Sequence, residues 1–184
     1  MSFDSAARAF LRDHGAESID HPGGTLYAHL CRVEERLAGL GAGPDLQLAG
    51  LTHAVYGTDG FGLHLMDWSE REPLRSVVGE AAEALVYLYG ACDRERTWAS
   101  LADTATVHDR FTGHAQQLDA DRLVAFVDLT IVNELDVLQP KHAAYFSDLF
   151  ARWAPVTSSA VNDDARRALD AVRRYERPDP PDRP

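Results

Sequence analysis

The sequence predicts an all-α fold, on three observations. Apolar residues recur at helical spacing through most of the chain. Glycine and proline stand between these runs, where helices stop and start. One stretch, TVHDRFTGHAQQL, departs from that spacing: Val107 and Phe111 flank polar residues around a Thr-Gly turn, which predicts one small β-hairpin near 105–118. The total is a bundle of about seven helices of irregular connectivity.

Taken in order, Ser2 caps a first amphipathic, peripheral helix with Phe3, Ala7, Phe10 and Leu11 on one stripe, ended by Gly15. After the turn signal HPGG, the segment from Thr25 to Leu40 lines up Leu26, Leu30, Val33, Leu37 and Leu40, and Gly39 and Gly41 close it. Pro44 suits the first turn of a third helix, LQLAGLTHAV, which is apolar almost all round and therefore central. Between Gly60 and Pro73 the pattern dissolves into a loop or lid. Helical spacing resumes at Leu74, with Gly79 placed to divide a short turn from a longer helix. Asp119 opens a long, strongly apolar helix that Pro140 stops. PKHAAYFSDLFARW and NDDARRALDAVRRY supply the last two helices.

A chain of 184 residues suffices for one sizeable core, so 1–175 reads as a single helical domain. The last residues, RPDPPDRP, are too polar and proline-rich to pack and predict a disordered tail over 176–184. No apolar run approaches the roughly 20 residues of a membrane span, and the N-terminus has no secretory pattern, so a cytoplasmic protein is expected. A net charge of −11 repels phosphate backbones and anionic lipid, which argues against nucleic acid and membranes as partners. The separated Cys31 and Cys92 read as small core residues rather than a disulfide.

Chemistry concentrates on two histidines. His29 lies beside the stripe of the second helix, and His53 follows Ala49 and Gly50 at the end of the third. A short loop joins these helices, so they pack antiparallel and the rings can meet. Such a pair can share a metal ion. It can equally be two core histidines, each donating one hydrogen bond to a backbone carbonyl. The YGTDG turn after His53 places Tyr56, Thr58 and Asp59 at the mouth of any cavity between the rings, and also reads as a plain helix stop.

The string TLYAHLCRVEERLAGLGAGPDLQLAGLTHAVYG resembles the opening of the HD-domain superfamily, whose pattern runs H-x-x-R-V, then L-L-H-D, then a later L-A-D. His29, Arg32 and Val33 match the first element, His53 the second, and IVNELDVL the third, with Asn133 at the last aspartate. The resemblance implies an HD-like helical domain and a metal-dependent small-molecule enzyme. The departures qualify that implication. Ala54 stands where the metal-binding aspartate belongs, and Gly57 and Thr58 replace the catalytic Glu-Asp of the branch that hydrolyses guanosine polyphosphates. Two dications would lack balancing carboxylates, so at most one metal is expected.

Asp128 sits inside the apolar run AFVDLTIV and must find a partner. Facing the histidines, it would complete a two-His-one-carboxylate set of the kind that suits non-haem iron. Asp128 and Asn133 are about 500° apart around a helix, so only one can line the site. The expectation is a small-molecule enzyme, a hydrolase or lyase acting on a compact polar metabolite, with one divalent ion (Fe, Mn or Zn) on His29, His53 and Asp128. Catalytic roles fall to His53, Tyr56, Thr58 and Asn133, and substrate contacts to Asp59, His64, Arg71 and Arg75. A mononuclear iron oxygenase is one alternative and a non-catalytic metabolite-binding or interaction protein another. A homodimer is left open.

Overall fold

A computed structural model of the chain describes residues 3–175. The cap expected at Ser2 and the tail expected over 176–184 lie outside the described residues. The fold is mostly helical, as the spacing predicts, with ten α-helices and two antiparallel two-stranded hairpins among the described residues. None of these helices is long and apolar enough to cross a membrane.

Helix α1 (Phe3–Asp13) buries Ala7 and Leu11 and packs on the third and fourth helices. Strands β1 (Asp20–His21) and β2 (Gly24–Thr25) pair around Pro22 and Gly23, a hairpin the sequence reading missed because it is only two residues deep. Thr25 caps α2 (Leu26–Gly39) by accepting from the Ala28 N–H at 3.2 Å. Helix α3 (Pro44–Thr52) is the innermost element, with Leu48 to Thr52 all buried. A Cβ on Gly50 would lie 2.5 Å from Leu37 Cδ1, so α3 can approach α2 this closely only without a side chain there. Leu37 meets Gly50 and His29 meets His53, which makes the two helices antiparallel and brings the start of α2 to the end of α3.

The surplus over about seven helices has two sources. Gly79, at φ 86°, separates α4 (Glu72–Val78) from α5 (Glu80–Ala91), and two single-turn helices, α6 (Arg94–Thr97) and α7 (Leu101–Thr104), are too short to show periodicity. Strands β3 (Thr106–His108) and β4 (Ala115–Gln117) form the expected hairpin, with Val107 opposite Gln116. Asp119 caps α8 (Ala120–Asp136) by accepting from the Arg122 N–H, and α8 packs against α2, α3 and α5. Helix α9 (Ala143–Trp153) packs against α10 (Ser159–Tyr175), which packs on α8. Helix α10 starts earlier than NDDARR, because Ser158 accepts from the Asn162 and Val161 N–H groups. Trp98 and Trp153 pack edge to face, and the Trp153 indole donates to the Trp98 carbonyl.

Two close approaches hold the segment after α3. The Leu65 and Met66 N–H groups donate to the Val55 carbonyl, folding the 57–71 loop back on itself. On the other side, a Cβ on Gly90 of α5 would stand 3.0 Å from the Gly57 carbonyl oxygen, so that turn rests directly on helix backbone.

Candidate functional site

The rings of His29 and His53 meet. Both are 1% exposed, and their Nε2 atoms stand 3.3 Å apart across the α2–α3 interface. Asn133, on the buried face of α8, brings Oδ1 to 3.0 Å from His29 Nε2. His21, on the β1–β2 hairpin, stacks on His29 with centroids 4.1 Å apart. These groups line a cavity of about 220 Å³ that also takes in Ala54, Thr58, Asp59, Phe61, Arg94 and Glu134.

Outer hydrogen bonds assign the ring protons. His29 Nδ1 lies 2.6 Å from Asp136 Oδ2, and a carboxylate only accepts, so Nδ1 carries a proton. His53 Nδ1 lies 2.8 Å from the Gly50 carbonyl and is protonated for the same reason. Asn133 donates its amide nitrogen to Glu134 Oε1 at 3.0 Å, which turns Oδ1 toward His29. With both imidazoles neutral, three lone pairs therefore converge on the cavity: two Nε2 atoms and one amide oxygen. A cluster of acceptors with no donor is unfavourable until a proton, a metal ion or a donating ligand enters it.

Electrostatics keep the inner ring neutral. Burial, followed by the neighbouring His29, drives the His53 pKa down to about 3, and burial lowers that of His21 to about 4. Burial acts on Asp136 in the opposite sense, but hydrogen bonds from His29 and from Arg32 outweigh it and hold its carboxyl well below the usual range. Arg32 grips Asp136 with Nε at 2.8 Å and Nη2 at 2.7 Å. The unfolded chain protonates His53 below about pH 6.5, whereas the folded chain resists protonation down to about 3. Its contribution is therefore present above 6.5 and is lost as the pH falls toward 3. The unfolding free energy from urea titrations, taken downward from neutrality, is expected to decline by up to about 1.4 kcal/mol per pH unit. A flat profile through this window would mean the ring is more hydrated than its burial implies.

The structure divides the other expected site residues. Thr58 and Asp59 line the cavity, Thr58 forming a bridge with Phe61, and Asp59 Oδ2 accepting from the Arg94 N–H at 2.9 Å. Asp128 does not reach it. Its Oδ1 accepts from the Ser158 N–H at 3.0 Å at the start of α10, because its angular offset from Asn133 turns it to the far side of α8. The ligand set of His29, His53 and Asp128 is thus not assembled, and with it goes the geometric basis for a mononuclear iron oxygenase. Tyr56, Arg71 and Arg75 also point elsewhere: they surround Glu83, which is fully buried on α5. The Tyr56 hydroxyl donates to Glu83 Oε1 at 2.9 Å, and Arg71 forks onto both carboxylate oxygens at 2.7 Å. The buried carboxylate holds these three residues on its own side, and none of them lines the His29–His53 cavity. His64 lines a neighbouring cavity of about 250 Å³ with Trp68 and Arg110, separated from the first by Phe61, which borders both.

The residues that sequence reasoning missed are Asp136, Glu134 and the role of Arg32. Arg94 Nη1 pairs with Glu134 at 3.0 Å, and Nη2 donates to the Tyr89 hydroxyl at 2.9 Å. Helical offsets offered a signal. Arg32 follows His29 by one turn on α2, and Asp136 follows Asn133 by one turn on α8, so two facing helices carry matched pairs.

Among the described residues no group of three or more His, Cys, Asp or Glu side chains is arranged to hold a metal ion. The family model of a domain of unknown function (DUF6817) matches residues 10–94. That stretch carries His21, His29, His53 and Asp59, and it ends before Asn133 and Asp136. A comparison with curated proteins gives no match.

Proposed function

We infer that the chain is a small-molecule enzyme that moves protons at the His29–His53 cavity, in hydrolase or lyase chemistry on a compact polar metabolite. The observation that carries this reading is the Asp136–His29 contact of 2.6 Å, with His29 Nε2 turned into the cavity. A carboxylate behind an imidazole fixes the tautomer and stabilises the imidazolium formed when the far nitrogen takes a proton. Arg32 keeps that carboxylate ionised. A substrate hydroxyl, amine or bound water donates to His29 Nε2 and gives up its proton there. His53 stays neutral and accepts, so it orients the reacting group rather than competing for the proton. Asn133 Oδ1 takes a second donor and would also accept from the imidazolium. Thr58 and Asp59 contact the substrate at the mouth.

A second reading rests on the spacing of the acceptors and on the HD resemblance. Two ligands on one ion at about 2.0–2.1 Å stand about 3.0–3.4 Å apart, and the observed separations are 3.3 and 3.0 Å. Both separations suit His29 sharing one divalent ion with His53 and Asn133, and such an ion when bound would supply Lewis acidity. These residues do not fit two ions, since Ala54 offers only a methyl group and Asp136 is turned onto His29 and Arg32. A non-catalytic metabolite-binding protein is the remaining reading, supported by the same cavity.

Elemental analysis of protein purified without chelator separates the first two: about one equivalent of Fe, Mn or Zn favours the ion. The His29→Ala/His53→Ala double variant is expected to lose turnover across a panel of ester, amide and amino-compound substrates while keeping its helical circular dichroism. A His29→Gln/His53→Gln variant that folds and keeps wild-type turnover would reduce the pair to packing.

A further inference from the structure

The cavity has a polarity that restricts what can enter it. With the ring protons of His29 and His53 on Nδ1, His53 and Asn133, 1% and 6% exposed, aim a lone pair inward and His29 adds a third, and none of these three groups offers another a donor. The charges lean the same way. Arg94 is the one cation lining the cavity among the described residues, and its guanidinium is already engaged by Glu134, by the Tyr89 hydroxyl and by the Trp98 ring face 4.8 Å away. Asp59 lies on the same wall, and among the described residues no ion pair reaches it; its Oδ2 holds only the Arg94 backbone N–H. One negative charge is therefore left over beside three inward lone pairs.

An incoming phosphate or carboxylate would meet these three lone pairs and the Asp59 carboxylate, against an Arg94 charge that Glu134 already balances. A positively charged, donor-rich molecule would satisfy Asp59 and the imidazoles together. We propose that the cavity selects a compact organic ammonium compound, an amino alcohol in its simplest form, and rejects anions of the same size. The ammonium group sits against Asp59, and a neighbouring hydroxyl donates to the His29–His53–Asn133 cluster. This assignment rests on the acid–base reading of the cavity and names the substrate class for it.

Three probes of nearly equal size isolate the charge: ethanolamine, ethylene glycol and glycolate, with inorganic phosphate as a fourth. Each is titrated into the full chain after dialysis against chelator, and the ring ¹⁵N–¹H resonances of His53 and His29 report occupancy. Ethanolamine is expected to bind about 10-fold more tightly than ethylene glycol and about 100-fold more tightly than glycolate. Asp59→Asn is expected to bring the first two together. Glycolate or phosphate binding as tightly as ethanolamine, or an Asp59→Asn protein with unchanged preference, overturns the ligand class and leaves the acid–base cavity standing. If none of the four perturbs either ring at saturating concentration, the cavity itself is not a ligand site, and both readings fall.

Discussion

Asp136→Asn is expected to lower turnover by about 10²–10⁴-fold, the range associated with a misplaced general base. The side chain keeps its size, but its amide nitrogen faces either His29 or Arg32, both of which donate to the native carboxylate. His29 then loses the partner that holds its proton on Nδ1. The tautomers of His29 are separable by their ring ¹⁵N shifts, so the cause can be read apart from the rate: wild type holds one form and the variant a mixture. A variant with native turnover and a single unchanged tautomer would remove Asp136 from the mechanism. Stability responds too, by about 1–3 kcal/mol. The smaller end is favoured because the Arg32 side chain is 36% exposed and can turn to water. The sign with pH follows from the lowered carboxyl pKa. The stabilisation is complete above the unfolded value of about 3.9 and fades as the pH falls below it. Acid should accordingly draw wild type toward the variant.

Glu83→Ala is expected to cost the fold more than any single change in the cavity, about 3–5 kcal/mol. Glu83 is completely buried and receives donors from Tyr56, Arg71 and Arg75, so its loss strands a hydroxyl and two guanidinium groups at once. Part of that cost is relieved because the Arg71 and Arg75 side chains are 32% and 37% exposed. Urea unfolding gives the magnitude. A loss below about 1 kcal/mol would show that the network behaves as a surface pair. The result also bears on the earlier expectation for Tyr56, Arg71 and Arg75: Arg71→Lys should shift the unfolding midpoint and leave KM where it was.

What the sequence made legible follows the range of the interactions involved. Helical stripes are local, so the long helices, the break at Gly79 and the hairpin at β3–β4 could be read from neighbouring residues. The meeting of His29 and His53 was legible for the same reason, since a short connection fixes α2 antiparallel to α3. Partners far along the chain were not. Asp128 had to be paired, but nothing in AFVDLTIV shows that its donor is a backbone N–H thirty residues on. Glu83 sits in an apolar helix as what looks like a solvent-facing charge, so Tyr56 and Arg71 were free, on paper, to serve a substrate. Asp136 ends its helix, where an acidic residue carries no periodic signal, and the α-helical offset from Asn133 gains meaning only once α2 is known to face α8.

Phe61 is the partition between two chambers, edge-on to His21 on one side and facing Trp68 and Arg110 across the other. A single aromatic ring thus acts as a ruler for the largest guest that can be admitted. Shortening it is expected to join the chambers and extend the space toward an aromatic wall, with the His29 and His53 rings left in place. The length of the hollow and the meeting of the two imidazoles are therefore set by different side chains, so one substitution can alter the first without touching the second.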